Sequence, residues 1–168
     1  MTGGVAFARS GAAVSACGLF RYALTRVWDD ARPTLGWVML NPSKADATAS
    51  DRTLEACVGF SSRAGFGGLR IENLFAFRAT RPGAIAARLE QGLDVVGPRN
   101  DASIRRMVSV CDAVAVAWGA TLARRASERR ERVLGLLPSV LVCLGTTKDG
   151  HPRHPSRLPY STRVSRYR

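Results

Sequence analysis

The chain is poor in the residues that bind metals and in the glycine signatures that bind nucleotide cofactors. Its four cysteines (Cys17, Cys57, Cys111 and Cys143) are widely spaced, and neither they nor its two histidines (His151 and His154) show ligand spacing. That excludes a zinc site or iron–sulfur cluster of ordinary pattern. The cysteines read as buried free thiols kept reduced in a cytoplasm. No GxGxxG and no GxxxxGK[ST] occurs, so a nucleotide cofactor is disfavoured. The GxSxG elbow of Ser-His-Asp hydrolases is also missing. Neither a metal nor a cofactor is expected. No apolar run approaches the ~20 residues of a membrane span. Residues 1–16 are small and weakly apolar with Arg9 as the one charged side chain, a poor signal peptide that reads as a loose arm.

What the chain does hold is positive charge. Its 168 residues carry a formal net charge of +12, from 25 basic against 13 acidic side chains. All the basic residues but Lys44 and Lys148 are arginine. Such an excess points to a polyanion, because cationic surfaces gain affinity by releasing counterions from phosphates. The preference for arginine over lysine has two readings, bidentate phosphate binding or simply a GC-rich genome. The length fits one domain, residues 17–168, able to bury a full core without disulfides or metals.

Short apolar runs, each ending in a polar, Gly or Pro cluster, set the architecture. Phe20 to Trp28 alternates loosely and reads as an antiparallel edge strand. Four central strands follow, at Leu35 to Leu40, Leu69 to Phe75, Ala113 to Trp118 and Val140 to Leu144. Helices are expected between them: Arg52 to about Ala64, capped by Ser50 or Asp51; Pro82 to Glu90; a third that begins at Asn100 or Pro98 and runs to Val110; and a basic helix from Leu122 to Leu137. A last edge strand falls near Thr162 to Arg166. Strands alternating with helices make a parallel sheet. The expected fold is therefore a three-layer α/β/α sandwich around a mainly parallel, four-stranded sheet.

Ligands of such sheets bind beyond the carboxyl ends of the strands, where loops and helix N-termini converge. Four clusters lie there. Asn41-Pro42-Ser43 leaves an amide at a strand tip, able to hold a water through its carbonyl. Lys44 can contact phosphate or depress a neighbouring carboxyl. Asp46 is the candidate general base, while Asp51 doubles as a helix cap. Asn73 is costly to bury unpaired and should bond a neighbouring loop. Phe75 and Phe77 beside Arg78 and Arg81 offer stacking faces. Trp118-Gly119 lets a ligand approach backbone. The stretch Lys148 to Arg157 holds both histidines, each followed by proline, so His151, His154 and Ser156 are presented on a stiff loop. A histidine there can stabilise a developing anion.

Taken in order, Met39-Leu40-Asn41-Pro42-Ser43-Lys44-Ala45-Asp46, Gly65-Phe66-Gly67-Gly68, Asn73 to Thr80, Ala117-Trp118-Gly119 and Thr147 to Pro155 resemble the bacterial and phage family catalogued as domain of unknown function 1643. The resemblance covers Cys17 to the C-terminus. Ser156 departs from it, leucine being the more usual residue. The order strand-Asn-Pro, strand-Asn, strand-Trp-Gly, strand-His-Pro-Ser is also similar, more remotely, to the mismatch-specific branch of the uracil-DNA glycosylase superfamily. That resemblance implies a water-positioning place for Asn41, base-stacking and base-reading places for Phe75 and Asn73, and a lesion-inserting loop at His154-Pro155-Ser156. It places Asp46 near the site as a sharer of the water role.

The expectation is a monomeric, cytoplasmic, glycosylase-like hydrolase acting on a base in DNA or on a nucleoside or nucleotide. Asn41, Asp46 and His154 are its catalytic candidates. Pro42, Ser43, Lys44, Asp51, Asn73, Phe75, Arg78, Trp118, Gly119, Lys148, His151 and Ser156 would hold the substrate. A non-catalytic nucleic-acid- or nucleotide-binding module of the same fold is the alternative.

Overall fold

The computed structural model describes residues 6–167, and within them the chain forms seven strands and four helices. The strands are β1 (Arg9–Val14), β2 (Arg21–Val27), β3 (Thr34–Met39), β4 (Gly68–Asn73), β5 (Ala113–Val116), β6 (Val142–Cys143) and β7 (Ser165–Arg166). The helices are α1 (Arg52–Arg63), α2 (Pro82–Glu90), α3 (Asn100–Val110) and α4 (Ser127–Leu134). All strands join one sheet in the order β1-β2-β4-β3-β5-β6-β7.

This corrects the expected sheet. The structure has one seven-stranded mixed sheet, not a four-stranded, mainly parallel one with a single antiparallel edge. The junctions β1/β2, β2/β4 and β6/β7 are antiparallel, and β3/β4, β3/β5 and β5/β6 are parallel. The added strand was hidden because Arg9–Val14 is small and largely exposed, with no apolar alternation to mark it. It pairs along β2, so β2 lies inside the sheet and is no edge. Of the expected arm, residues 1–5 lie outside the described residues.

Alternation along β3 divides the core. Leu35, Trp37 and Met39 face α1, together with Leu54, Cys57 and Phe60. Val38 and Leu40 face the opposite cluster, with Ile85 of α2, Ile104 and Met107 of α3, and Val133 of α4. Strands packed on both faces must be apolar throughout, and residues 35–40 are all buried. Burying Trp37 requires a partner for its indole N–H; Ser61 Oγ accepts it at 3.0 Å. Of the four cysteines, all free, Cys57 and Cys143 are buried, Cys111 is half-buried and Cys17, against expectation, is exposed.

Helix starts follow local chemistry. Asp51 Oδ1 accepts the Leu54 N–H at 2.8 Å, capping α1, and Pro82 opens α2 where its missing N–H is harmless. The basic helix is shorter than the expected Leu122 to Leu137. Leu122 adopts a left-handed φ of 61°, so the segment before Ser127 turns without propagating.

From the tip of β3 the chain passes through α1 to β4 on one side, then through α2 and α3 to β5 on the other. The loops leaving β3 and β5 therefore diverge and open a crevice between them.

Candidate functional site

Two adjoining hollows lie at this end of the sheet, the outer one in that crevice and the inner one beside α1 over β2, β4 and β3. The inner one has a volume of about 220 Å³ and is lined by Arg21, Asn41, Ser43, Asp51, Asn73 and His154, among others. The outer one, about 670 Å³, includes Asn41, Trp118, Gly119, Arg153, His154 and Ser156. Asn41 and His154 line both, so the asparagine-proline corner and the histidine-proline loop meet.

Asn41 is oriented by backbone. Its Nδ2 donates to the Ala79 carbonyl at 2.8 Å and the Pro42 carbonyl at 3.1 Å. Both partners are oxygens, so the amide nitrogen must face them, and Oδ1 is left as a free acceptor. Pro42 itself is buried, and its carbonyl also accepts the Ala79 N–H at 2.9 Å. The corner after β3 is thereby pinned to the loop before α2.

His154 is fixed by its own loop. Arg153 N–H donates to Gly145 O, Thr147 N–H to His151 O, and Gly119 N–H to Pro152 O, all at 2.8–2.9 Å. Gly119 has a left-handed φ of 72°, and a Cβ there would sit 3.5 Å from His154 Cβ. A Cβ would fit at that distance, so it is the left-handed backbone that favours glycine where the end of β5 meets the histidine. The imidazole Nδ1 accepts the Ser156 N–H at 3.2 Å and lies 2.7 Å from Ser156 Oγ. A backbone N–H can only donate, so Nδ1 carries no proton and the neutral ring presents Nε2–H. Burial depresses the His154 pKa below its ordinary value, opposed by Asp51, and favours that neutral form. The backbone N–H at position 156, which any residue but proline would supply, sets this tautomer.

Asn73 is 2% exposed, and its Nδ2 has no hydrogen-bond partner. The loop partner expected for it is not there; its own carbonyl accepts from Asn100 Nδ2 at 2.9 Å. Ser43 and Asp51 border the inner hollow, with one Asp51 oxygen committed to the α1 cap.

Other candidates lie elsewhere. Asp46 Oδ1 accepts from Thr48 N–H, Thr48 Oγ1 and Ala49 N–H at 2.8–3.1 Å. Those bonds, the Ala49 one foremost, hold its pKa below the ordinary value, which makes it a weak base. It lines neither hollow. Phe75 is buried on the α2/α3 side of the core and offers no face for stacking. Arg78 is half-buried and donates to Gly18 O at 3.4 Å. Lys44 and Lys148 are exposed, His151 is half-buried, and none of the three borders a hollow.

The residue that sequence reasoning missed is Arg21. It sits at the start of β2, 4% exposed, and its Nη1 donates to the Ala45 carbonyl. The sequence carries little signal for it: an arginine alternating with Phe20 and Tyr22 falls on the opposite face of the strand and reads as solvent-facing. Among the described residues, no group of three or more His, Cys, Asp or Glu is placed to hold a metal ion. No helix among them is long and apolar enough to cross a membrane.

Fold and crevice define an α/β protein with a cleft where the strand order reverses, walled by a fixed amide, a neutral histidine and a buried arginine. The chain belongs to the family described as Protein of unknown function (DUF1643), which matches residues 21–156. No curated protein and no solved structure matches the chain. The resemblance to the uracil-DNA glycosylase superfamily gains no support from these comparisons.

Proposed function

We propose that the protein is a glycosylase-like hydrolase that cleaves the bond between a base and its sugar, in a nucleic acid or a nucleotide. The observation that carries this reading is the pairing of opposite hydrogen-bond characters on one cleft, a free Asn41 Oδ1 acceptor and the Nε2–H donor of His154. Asn41 would hold a water against the sugar's C1′. The oxygen–C1′ bond forms as the glycosidic bond breaks, the base leaves with the bonding electron pair, and the water's proton passes to solvent. His154 Nε2–H would stabilise the negative charge developing on the base. Such a reaction passes through a cationic sugar that a water can capture without a strong base, which suits a site from which Asp46 is absent.

Asn41→Ala should lower base release by about 10²-fold or more, the range of a lost positioning or general-base contact, while leaving substrate affinity within a few-fold. The assay is release of free base from oligonucleotides and nucleotides carrying uracil or modified pyrimidines. No release by wild type across that panel rejects the proposal. One observation favours the binding-module reading: Asp46 and Asp51 both spend carboxylate oxygens on backbone N–H groups. Saturable, salt-sensitive binding without release would select it.

A further inference from the structure

The outer hollow carries positive charge with no acid to balance it. Arg153 and Arg157 both line it, and none of its lining residues is Asp or Glu. Both arginines are exposed, and among the described residues neither guanidinium enters an ion pair or a hydrogen bond. Asp149, the acid nearest to them along the chain, is exposed and lies outside the lining. The inner hollow differs, because Asp51 lines it and favours the charge on Arg21. The two hollows thus divide by charge, and a negative group is favoured in the outer one.

The segment that presents these arginines is tied down along its length. Pro152 and Pro155 are buried. The Pro152 carbonyl accepts the Gly119 N–H, Arg153 N–H donates to Gly145 O, and Leu158 N–H donates to Pro155 O at 3.3 Å. Leu158 also packs against the core cluster on the α1 side. The backbone is fixed while the guanidiniums stay uncommitted, which lowers the entropy lost on binding. Arg157 also takes a left-handed φ of 69°. That conformation is unfavourable for a residue with a Cβ and open to glycine. Other residues persist there only where the surrounding structure enforces it, and such positions gather at ligand sites. Here the chain keeps a long cation at a position that glycine would fit without strain.

We propose that Arg153 and Arg157 bind a phosphate ester carried by the substrate. At about 670 Å³ the outer hollow has the size of a small-molecule site. Arginine offers forked N–H donors that match phosphate oxygens in pairs. Asn41 and His154 stand where the two hollows meet. A glycosidic bond held against them, with its base in the inner hollow, puts the phosphate in the outer one. That assignment to the substrate rests on the hydrolase reading; the phosphate site itself does not. A free nucleotide and a nucleic acid strand present the same ester, and binding distinguishes them.

The test is calorimetric binding of deoxyuridine, its 5′-monophosphate and a short oligodeoxyuridine to wild type and variants. A phosphorylated ligand should bind about tenfold or more tightly than the nucleoside, the scale of a charge-assisted hydrogen bond. An advantage shown by the monophosphate marks a free nucleotide as the source, and one confined to the oligonucleotide marks a strand. Arg153→Gln and Arg157→Gln together should erase the advantage. Arg105→Gln with Arg106→Gln, which removes the same charge from α3, should leave it standing. Arg157→Gly should weaken phosphate binding as Arg157→Gln does, with a thermal midpoint at or above that of wild type, since glycine adopts the left-handed backbone freely. A lowered midpoint with phosphate binding intact would mark a structural arginine and overturn the proposal. So would the absence of any advantage, its survival in the Arg153/Arg157 double variant, or its equal loss in the α3 pair. Phosphate binding without base release strikes the hydrolase reading alone, and release indifferent to the phosphate strikes this site alone.

Discussion

Several side chains in this protein hold charge where water cannot reach, and each can be tested by pH. Glu72 is fully buried on β4; its Oε1 accepts from Arg70 Nε at 2.7 Å and Ser103 Oγ at 2.9 Å, while Oε2 has no partner. Desolvation outweighs the Arg70 attraction and raises its pKa to about 7. The folded state therefore binds this proton more tightly than the unfolded chain. Glu72 favours folding below the ordinary pKa of 4.5, and that contribution is lost as pH rises through about 7. Relative to Glu72→Gln, wild-type stability should fall by up to about 3 kcal/mol across that window in urea titrations. A constant difference between the two proteins would refute the assignment. At the same scale the sequence was informative about type and poor about engagement. Asn41 and His154 could be picked out by position, but whether a carboxylate is free is a matter of neighbours. Asp46 looked available because its bonds to Thr48 and Ala49 form only once the loop folds. Arg21 was passed over because charge inside a strand reads as surface until burial is known.

Among the elements, α4 illustrates a basic run that is largely structural. Arg129 is 8% exposed and donates from Nε to the Leu74 carbonyl at 2.6 Å and from Nη1 to Asp101 of α3 at 2.6 Å. Arg132 joins the same carboxylate at 2.8 Å, and Arg125 pairs with Glu90 of α2. Arg129 and Arg132 strap α4 to α3 and the end of β4, and Arg125 ties the turn before α4 to α2, which reduces what this segment can offer to a polyanion. Arg129→Met should cost about 1–3 kcal/mol, because it removes a charge-assisted donor from the buried Leu74 carbonyl, leaving only Asn100 Nδ2, and one of the two arginines on Asp101; thermal unfolding measures it, and an unchanged midpoint would contradict the role. Burial alone would raise the Asp101 pKa, but the two arginines overcome it and hold the group below the ordinary carboxylate value. Its stabilisation is present above pH 3.8 and lost as pH falls through the depressed pKa. Asp101→Asn should accordingly show a shallower loss of stability in acid than wild type. Elements with a local cause were legible beforehand: α1 through its Asp51 cap, α2 through Pro82, and β3 through an unbroken apolar run. The strand β1 was not, because its pairing comes from backbone hydrogen bonds to β2, which a small-residue sequence does not advertise. The two-residue strands β6 and β7 depend on each other across the sheet edge.

For the molecule as a whole, the convergence of loops was readable from the alternation of strands and helices, since chain reversal at β3 and β5 forces a crevice. The sheet's extent and mixed direction were not, being decided by long-range partners at both edges. The central claim is that Asn41 and His154 face one ligand from two loops more than 100 residues apart. The most direct measurement is a nitrogen-15 NMR titration that follows the Asn41 side-chain amide and the His154 ring together as a pyrimidine nucleotide is added. The account predicts a neutral, Nε2-protonated His154 at pH 7, and shifts at both side chains that saturate with the same dissociation constant. A ring protonated at Nδ1, or a nucleotide that binds while leaving either side chain unmoved, would contradict it.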